Sequence, residues 1–105
     1  MHEIETPSAM VELSKVRRNC AHMADRMSAL GVKLRPHVKT HKCVEVAELQ
    51  CQGHFGGITV STLAEAEFFA AAGWRDLTLA VPLAHGRLAR AMALMARVDV
   101  VNLLL

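Results

Sequence analysis

"GITVSTLAEAEFFAAAGWRDLTLAVP", residues 57 to 82, decides the fold. "GITV" is a short strand, with Ile58 and Val60 on one side and Thr59 and Ser61 on the other. A helix follows. Thr62 and Glu65 stand at the spacing of a capping box, and Gly73 supplies a left-handed stop. Trp74, just beyond Gly73, is placed to plug the helix–strand corner. "LTLAVP" is the next strand. Two strands joined by such a helix run parallel, because the chain needs a crossover to return.

The same rhythm extends in both directions. Downstream, "GRLARAMALMAR" predicts a helix with Leu88, Ala91, Met92 and Met95 on one side, and "VDVVNLLL" a further strand. Upstream, "VEVAELQCQG" predicts a helix ending at Gly53, preceded by a strand in "VKLRPHV". "LSKVRRNCAHMADRMSALG" carries a helical stripe of Val16, Cys20, Met23, Ala24, Met27 and Leu30, with Ser14 as the expected N-cap and Gly31 as the stop. Met23, Met27, Met92 and Met95 are expected in the core. Strand centres fall near residues 36, 58, 79 and 101. The later strands are almost wholly apolar, as expected of strands covered on both faces. The class is α/β with parallel strands. An open doubly wound sheet and a (βα) barrel are both allowed at this point. No G-x-G-x-x-G follows a strand and no phosphate-binding G-x-x-x-x-G-K-[ST] is present, which disfavours the nucleotide-binding open sheet.

Composition narrows the function. The chain has 105 residues, 52% of them hydrophobic, enough to fill one small core or part of a larger one. A net charge of +2 and an aromatic share of 4% argue against a nucleic-acid partner. Three cysteines are an odd number, against a disulfide framework. No signal peptide and no apolar run of spanning length is visible, so the expectation is a cytoplasmic protein with no membrane partner.

"KLRPHVKTHK", residues 33 to 42, stands apart. By strand parity Val32, Leu34, Pro36, Val38 and Thr40 share an apolar face, and Lys33, Arg35, His37, Lys39 and His41 share the other. His41 is the least secure member, because the strand end breaks the alternation. One interpretation is a wet basic face on an edge strand. The other is a cationic row lining a pocket at the C-terminal strand ends, where α/β folds place ligands. A lysine crowded by cations and partly desolvated is pushed toward its neutral amine, which attacks carbonyls. The same cations attract phosphate. Pyridoxal phosphate offers both an aldehyde and a phosphate.

At these residues the chain resembles a known family. "LRPHVKTHK" looks like the signature of the D-threonine aldolase and D-serine dehydratase family, whose N-terminal barrel is alanine racemase-like. "ETPSAMVELSKVRRNCAHMA" resembles that family's opening strand and first helix, and "GITVSTLAEAEFFAAAG" its second βα unit. The resemblance implies a partial (βα) barrel of the kind called fold type III among pyridoxal-phosphate enzymes. It implies that Lys39 holds pyridoxal phosphate as a Schiff base, with Lys42 a flanking lysine. His37, Arg35 and Ser61 are the candidate cofactor neighbours. Intact relatives are several times longer. In them, glycine-rich phosphate loops and the ligands of a divalent metal lie in later parts of the chain. Residues 1 to 105 are therefore expected to be an incomplete N-terminal cofactor-binding barrel, without a metal site of its own.

Other constellations are weaker. His41, Cys43, Cys51 and His54 match no ordinary zinc spacing, and the cysteines suit packing. Asn102 interrupts an apolar strand, either as a buried hydrogen-bonding residue or as pocket lining. Three functions stay open: part of a pyridoxal-phosphate lyase acting on D-amino acids, inactive alone; a half-barrel that binds cofactor or partner without turnover; and a truncated product with no function. An amino-acid racemase is a variant of the first. Open strand edges in such a half-barrel also suggest self-association, or pairing with a complementing second half.

Overall fold

The structure, a computed structural model, describes residues 3 to 105. No strand forms across residues 3 to 12, where the family-like opening strand was expected. Helix α1 (Leu13–Ala29) starts one residue before the expected cap. Glu12 holds the N-cap position, and its carbonyl accepts the N–H groups of Lys15 (3.0 Å) and Val16 (3.2 Å). Ser14 lies inside the first turn and donates its hydroxyl to Glu12 Oε1 instead (3.2 Å). At the other end Gly31 takes φ +66°, with Gly31 N–H bonded to Ser28 O and Val32 N–H to Met27 O. These are the paired bonds of a left-handed helix stop. Val16, Cys20, Ala24 and Met27 are half-buried, whereas Met23 and Leu30 are exposed. This face packs on helix α2 (Val44–Cys51).

"VKLRPHV" is extended but does not form a full strand. Within it only His37 makes a parallel bridge, to Thr59. Thr59 N–H donates to Pro36 O (2.8 Å) and Val38 N–H to Thr59 O (3.0 Å). Pro36 has no N–H to offer, which limits the ladder at the strand's centre. Next come strand β1 (Ile58–Val60), helix α3 (Leu63–Ala71), strand β2 (Asp76–Pro82), a 3-10 turn (His85–Arg87), helix α4 (Leu88–Met95) and strand β3 (Val100–Leu104).

The three strands are parallel in the order β1-β2-β3, with Thr59 beside Thr78 and Thr78 beside Asn102. The bridge at His37 adds a fourth extended segment outside β1, so spatial order follows chain order. Right-handed crossovers in such an order place every helix on one face of the sheet. The core agrees. Ala47 of α2, Phe69 of α3, and Ala91 and Leu94 of α4 gather with Ile58, Val60, Leu77 and Leu79 in one cluster. A doubly wound sheet would reverse direction and cover both faces. The winding is that of a (βα) barrel.

Phe69 is fully buried and meets Trp74 edge-on with ring centroids 5.4 Å apart, so Trp74 does close the corner after α3. The methionine expectation fails for three of its four residues. Met23, Met92 and Met95 are 46%, 61% and 49% exposed, and Leu88 is exposed too. Ala91 is buried as expected, and the inward stripe of α4 runs from it to Leu94, continued by Val98. The small Ala91 at its centre lets the helix lie close to the sheet. The other sheet face carries His37, Thr59, Ser61, Thr78 and Asn102, and among the described residues no helix covers it. Val100 and Leu104 are accordingly exposed, contrary to the expectation of β3 covered on both sides. Asn102 Nδ2 donates to Thr78 Oγ1 (3.0 Å) on this open face. No helix among the described residues is long and apolar enough to cross a membrane.

Candidate cofactor site at the strand ends

The chain leaves the His37 bridge into a tight turn over residues 39 to 42. Lys42 N–H closes that turn on Val38 O (2.9 Å), and Lys42 itself takes φ +49°, a left-handed conformation costly for a residue with a Cβ. Strand parity holds up to this point: Pro36 and Val38 are buried against the helices, while Arg35 and His37 face the other way. Lys39 is exposed in this turn, and its side chain makes no hydrogen bond or ion pair among the described residues.

His37 is fixed from both ring nitrogens. Nδ1 accepts the backbone N–H of Lys39 (3.2 Å), which leaves the proton on Nε2, 3.3 Å from Ser61 Oγ. The neutral ring therefore donates to the Ser61 hydroxyl and accepts from the Lys39 main chain. Burial lowers the pKa of His37, the Lys39 charge lowers it further, and Glu65 opposes them. The imidazole is held neutral at pH 7, as its Nδ1 acceptor role requires.

Glu65 is the hub beneath this surface. It is 8% exposed. Its Oε2 accepts the N–H groups of Ser61 (2.7 Å) and Thr62 (3.3 Å), and Thr62 Oγ1 accepts Glu65 N–H (3.0 Å). The capping box expected from sequence is present in both directions. Oε1 faces Lys42 Nζ at 3.3 Å. Burial pushes the Glu65 carboxyl up, but the Ser61 amide, Lys42 and the Thr62 amide together hold it below the usual carboxylate range. Sequence spacing identified Glu65 as a cap and missed its contact with Lys42. The spacing of 23 residues between them carries no local signal, since only the parallel pairing of two βα units brings them together.

The row of basic residues is dispersed by its partners. Arg35 NH1 pairs with Asp76 Oδ1 (2.6 Å) at the start of β2, and its guanidinium lies 4.9 Å from the Phe55 ring centroid. A Cβ on Gly57 would collide with both Phe55 and Arg35, so this close stack needs glycine there. Lys33 also lies over Phe55 (5.7 Å). His41 turns away toward α2, its Nδ1 accepting Cys43 N–H (3.0 Å) and its Nε2 facing Gln50 Oε1 (2.8 Å). His37, Lys39 and Ser61 are brought together; Arg35 sits nearer the N-terminal strand ends.

A cavity of about 190 Å³ opens at the C-terminal strand ends, lined by Ser61, Thr62, Leu79, Pro82 and Arg87 among others. A larger one, about 530 Å³, lies at the opposite ends beside Phe55, Trp74 and Arg75. Its Arg75 is committed to Asp99 Oδ1 (3.1 Å) and the Arg97 carbonyl (2.7 Å). Volume there exceeds chemistry, and the strand-end site is the better candidate. Among the described residues no group of three or more His, Cys, Asp or Glu side chains gathers to hold a metal.

Comparison with known proteins agrees with this geometry. Residues 11 to 102 match the family model described as alanine racemase, N-terminal domain. The chain is 51% identical over 94 residues to D-threo-3-hydroxyaspartate dehydratase of a Delftia species, covering 90% of this chain and 25% of the relative. It is 36% identical to D-serine dehydratase of Dictyostelium discoideum, covering 99% of this chain and 27% of the relative. The solved Delftia dehydratase superposes with a TM-score of 0.87 at 50% identity, covering 92% of this chain and 26% of that one. D-threonine aldolase from Filomicrobium marinum superposes with a TM-score of 0.84 at 30% identity, covering 92% and 27%. The chain thus spans about a quarter of the length of the relatives it matches.

Proposed function

From a chain that belongs to the alanine racemase N-terminal domain family, we propose the opening βα units of a barrel domain that binds pyridoxal phosphate through Lys39, within a lyase acting on D-amino acids. The observation that carries this reading is the placement of Lys39. Lys39 follows the C-terminal end of the His37 segment and has no ion-pair partner among the described residues, while Lys42 is paired with Glu65, and Arg35, nearer the opposite strand ends, with Asp76. The donor set suits the cofactor. An aldehyde needs an accessible primary amine, and the polar atoms of the cofactor need hydrogen-bonding neighbours of the kind His37 and Ser61 can supply.

When bound, pyridoxal phosphate supplies an aldehyde that captures amines and a ring that takes up negative charge from the substrate α-carbon. Lys39 supplies the anchoring amine. His37 holds the main chain of Lys39 through Nδ1 and orients the Ser61 hydroxyl through Nε2–H. The N-terminus of α3 is closed by Glu65 and carries its negative charge, so it is unsuited to the cofactor phosphate. The named relatives share a substrate chemistry. Threo-3-hydroxyaspartate, serine and threonine all carry a hydroxyl on the β-carbon, and the dehydratases and the aldolase named are D-specific. The substrate class proposed here is accordingly a β-hydroxy-D-amino acid, undergoing loss of water or α–β bond cleavage. Racemisation has less support, since the named relatives are dehydratases and aldolases.

The test is an absorbance titration of the chain with pyridoxal phosphate. Saturable spectral change is expected in the unaltered chain and in Lys42→Ala, and is expected to vanish in Lys39→Ala. A Lys39→Ala chain that titrates like the unaltered one would refute the reading.

A further inference from the structure

Lys39 and Lys42, three residues apart in the turn after the His37 bridge, are both exposed, and of the two only Lys42 has an ion-pair partner among the described residues. Lys42 reaches Glu65 Oε1 at 3.3 Å, across 23 residues of sequence, from a backbone held at φ +49°. Glu65 is buried, and its second oxygen grips the Ser61 and Thr62 amides. Ser61 in turn meets His37, and His37 accepts the Lys39 N–H. One carboxylate thus reaches both lysines by separate routes. It takes Lys42 directly, and it steadies the Lys39 backbone through Ser61 and His37.

We infer that Glu65 is a positioning residue that selects which lysine captures the aldehyde, withdrawing Lys42 into an ion pair while Lys39 stays exposed and unpaired among the described residues. This rests on the proposed role of Lys39. Capture needs the lone pair of a neutral amine: the amine nitrogen bonds to the aldehyde carbon, and the carbonyl oxygen leaves as water. Lys42 Nζ must first leave the Glu65 carboxylate before it can reach an aldehyde carbon, and Lys39 Nζ has no such contact to break. Lys42 is 62% exposed, so accessibility alone does not protect it. The protection comes from its partner, which is anchored by three polar contacts of its own.

Borohydride trapping of pyridoxal phosphate, followed by peptide mass spectrometry, reads each lysine separately. Lys33, which makes no ion pair among the described residues, is the internal reference. Glu65→Gln keeps an oxygen for the Ser61 and Thr62 amides and removes the charge that holds Lys42. The Lys42-to-Lys33 adduct ratio is expected to rise by up to about fivefold, as the loss of one partly exposed ion pair allows. A loss confined to helix capping would leave that ratio where it was. An unchanged ratio in a Glu65→Gln chain with unaltered helix content overturns the inference. Should Glu65→Gln fail to fold, Glu65→Asp keeps the charge on a shorter stem. Lys42 shielding retained in that variant supports the inference, and Lys42 labelled as readily as Lys33 overturns it. The Lys39-to-Lys33 ratio in the unaltered chain is a separate reading. If it is near one, the proposed role of Lys39 fails, whatever Lys42 does.

Discussion

Lys39, His37 and Ser61 show how far single residues can be interpreted from sequence. Alternation in "LRPHV" correctly separated Val38, which is buried, from Arg35 and His37, which face the open side. What alternation could not supply is the identity of each charge's partner. Asp76 lies 41 residues from Arg35, and Glu65 lies 23 from Lys42. His37 carries a pH prediction. Its pKa is lowered in the fold, by burial first and then by the Lys39 charge, against a smaller pull from Glu65. The unfolded chain therefore gains a proton on this imidazole at a higher pH, near 6.5, than the folded chain does. The associated stability is present in full above that value. It is lost as pH falls through the folded-state pKa of His37. Protonation also removes the Nδ1 acceptor from Lys39 N–H. Urea midpoints at about pH 7.5 and about pH 5.5 should therefore differ more in the unaltered chain than in His37→Gln. Equal pH sensitivity in the two chains would exclude His37 as the source.

Elements were easier to locate than their inward faces. Gly31, Gly53 and Gly73 end helices as expected, each at positive φ, and Thr62 with Glu65 starts α3 as a capping box. These signals are local, a few residues wide, and survive folding unchanged. The α4 stripe is not of that kind. Of the expected stripe Leu88, Ala91, Met92 and Met95, packing against the sheet kept only Ala91 and joined it to Leu94, which fits the helical period equally well. The shortening of the "VKLRPHV" strand to one bridge follows from Pro36, whose missing N–H is visible in the sequence but whose effect depends on which neighbour that N–H would have faced. Two stability predictions belong here. Thr62→Ala removes one leg of the capping box and should cost about 1 kcal/mol. Phe69→Ala empties the fully buried centre of the cluster and should cost about 3–5 kcal/mol, enough to unfold a marginal chain. Denaturant titration checks both, and a smaller loss for Phe69→Ala than for Thr62→Ala would contradict the placement of the core.

At the scale of the whole molecule, sequential strand order puts the helices on one face and a polar row on the other. Lys39 ends that row where the strands end, the position at which (βα) barrels gather their chemistry. Its long-range support comes from one carboxylate, Glu65, and one imidazole, His37. These residues support the amine proposed as the cofactor anchor, whereas orienting an amino acid substrate and stabilising its charge supply much of the rate in such reactions. The 105 residues by themselves are therefore expected to turn over D-serine or D-threonine more slowly than about 1 per second, the lower end of ordinary enzymes. Cofactor capture is expected to remain. The direct measurement is to trap pyridoxal phosphate on the unaltered chain with borohydride and map the adduct by peptide mass spectrometry. The account predicts that Lys39 carries most of the label. Label spread evenly over Lys15, Lys33, Lys39 and Lys42 would contradict it.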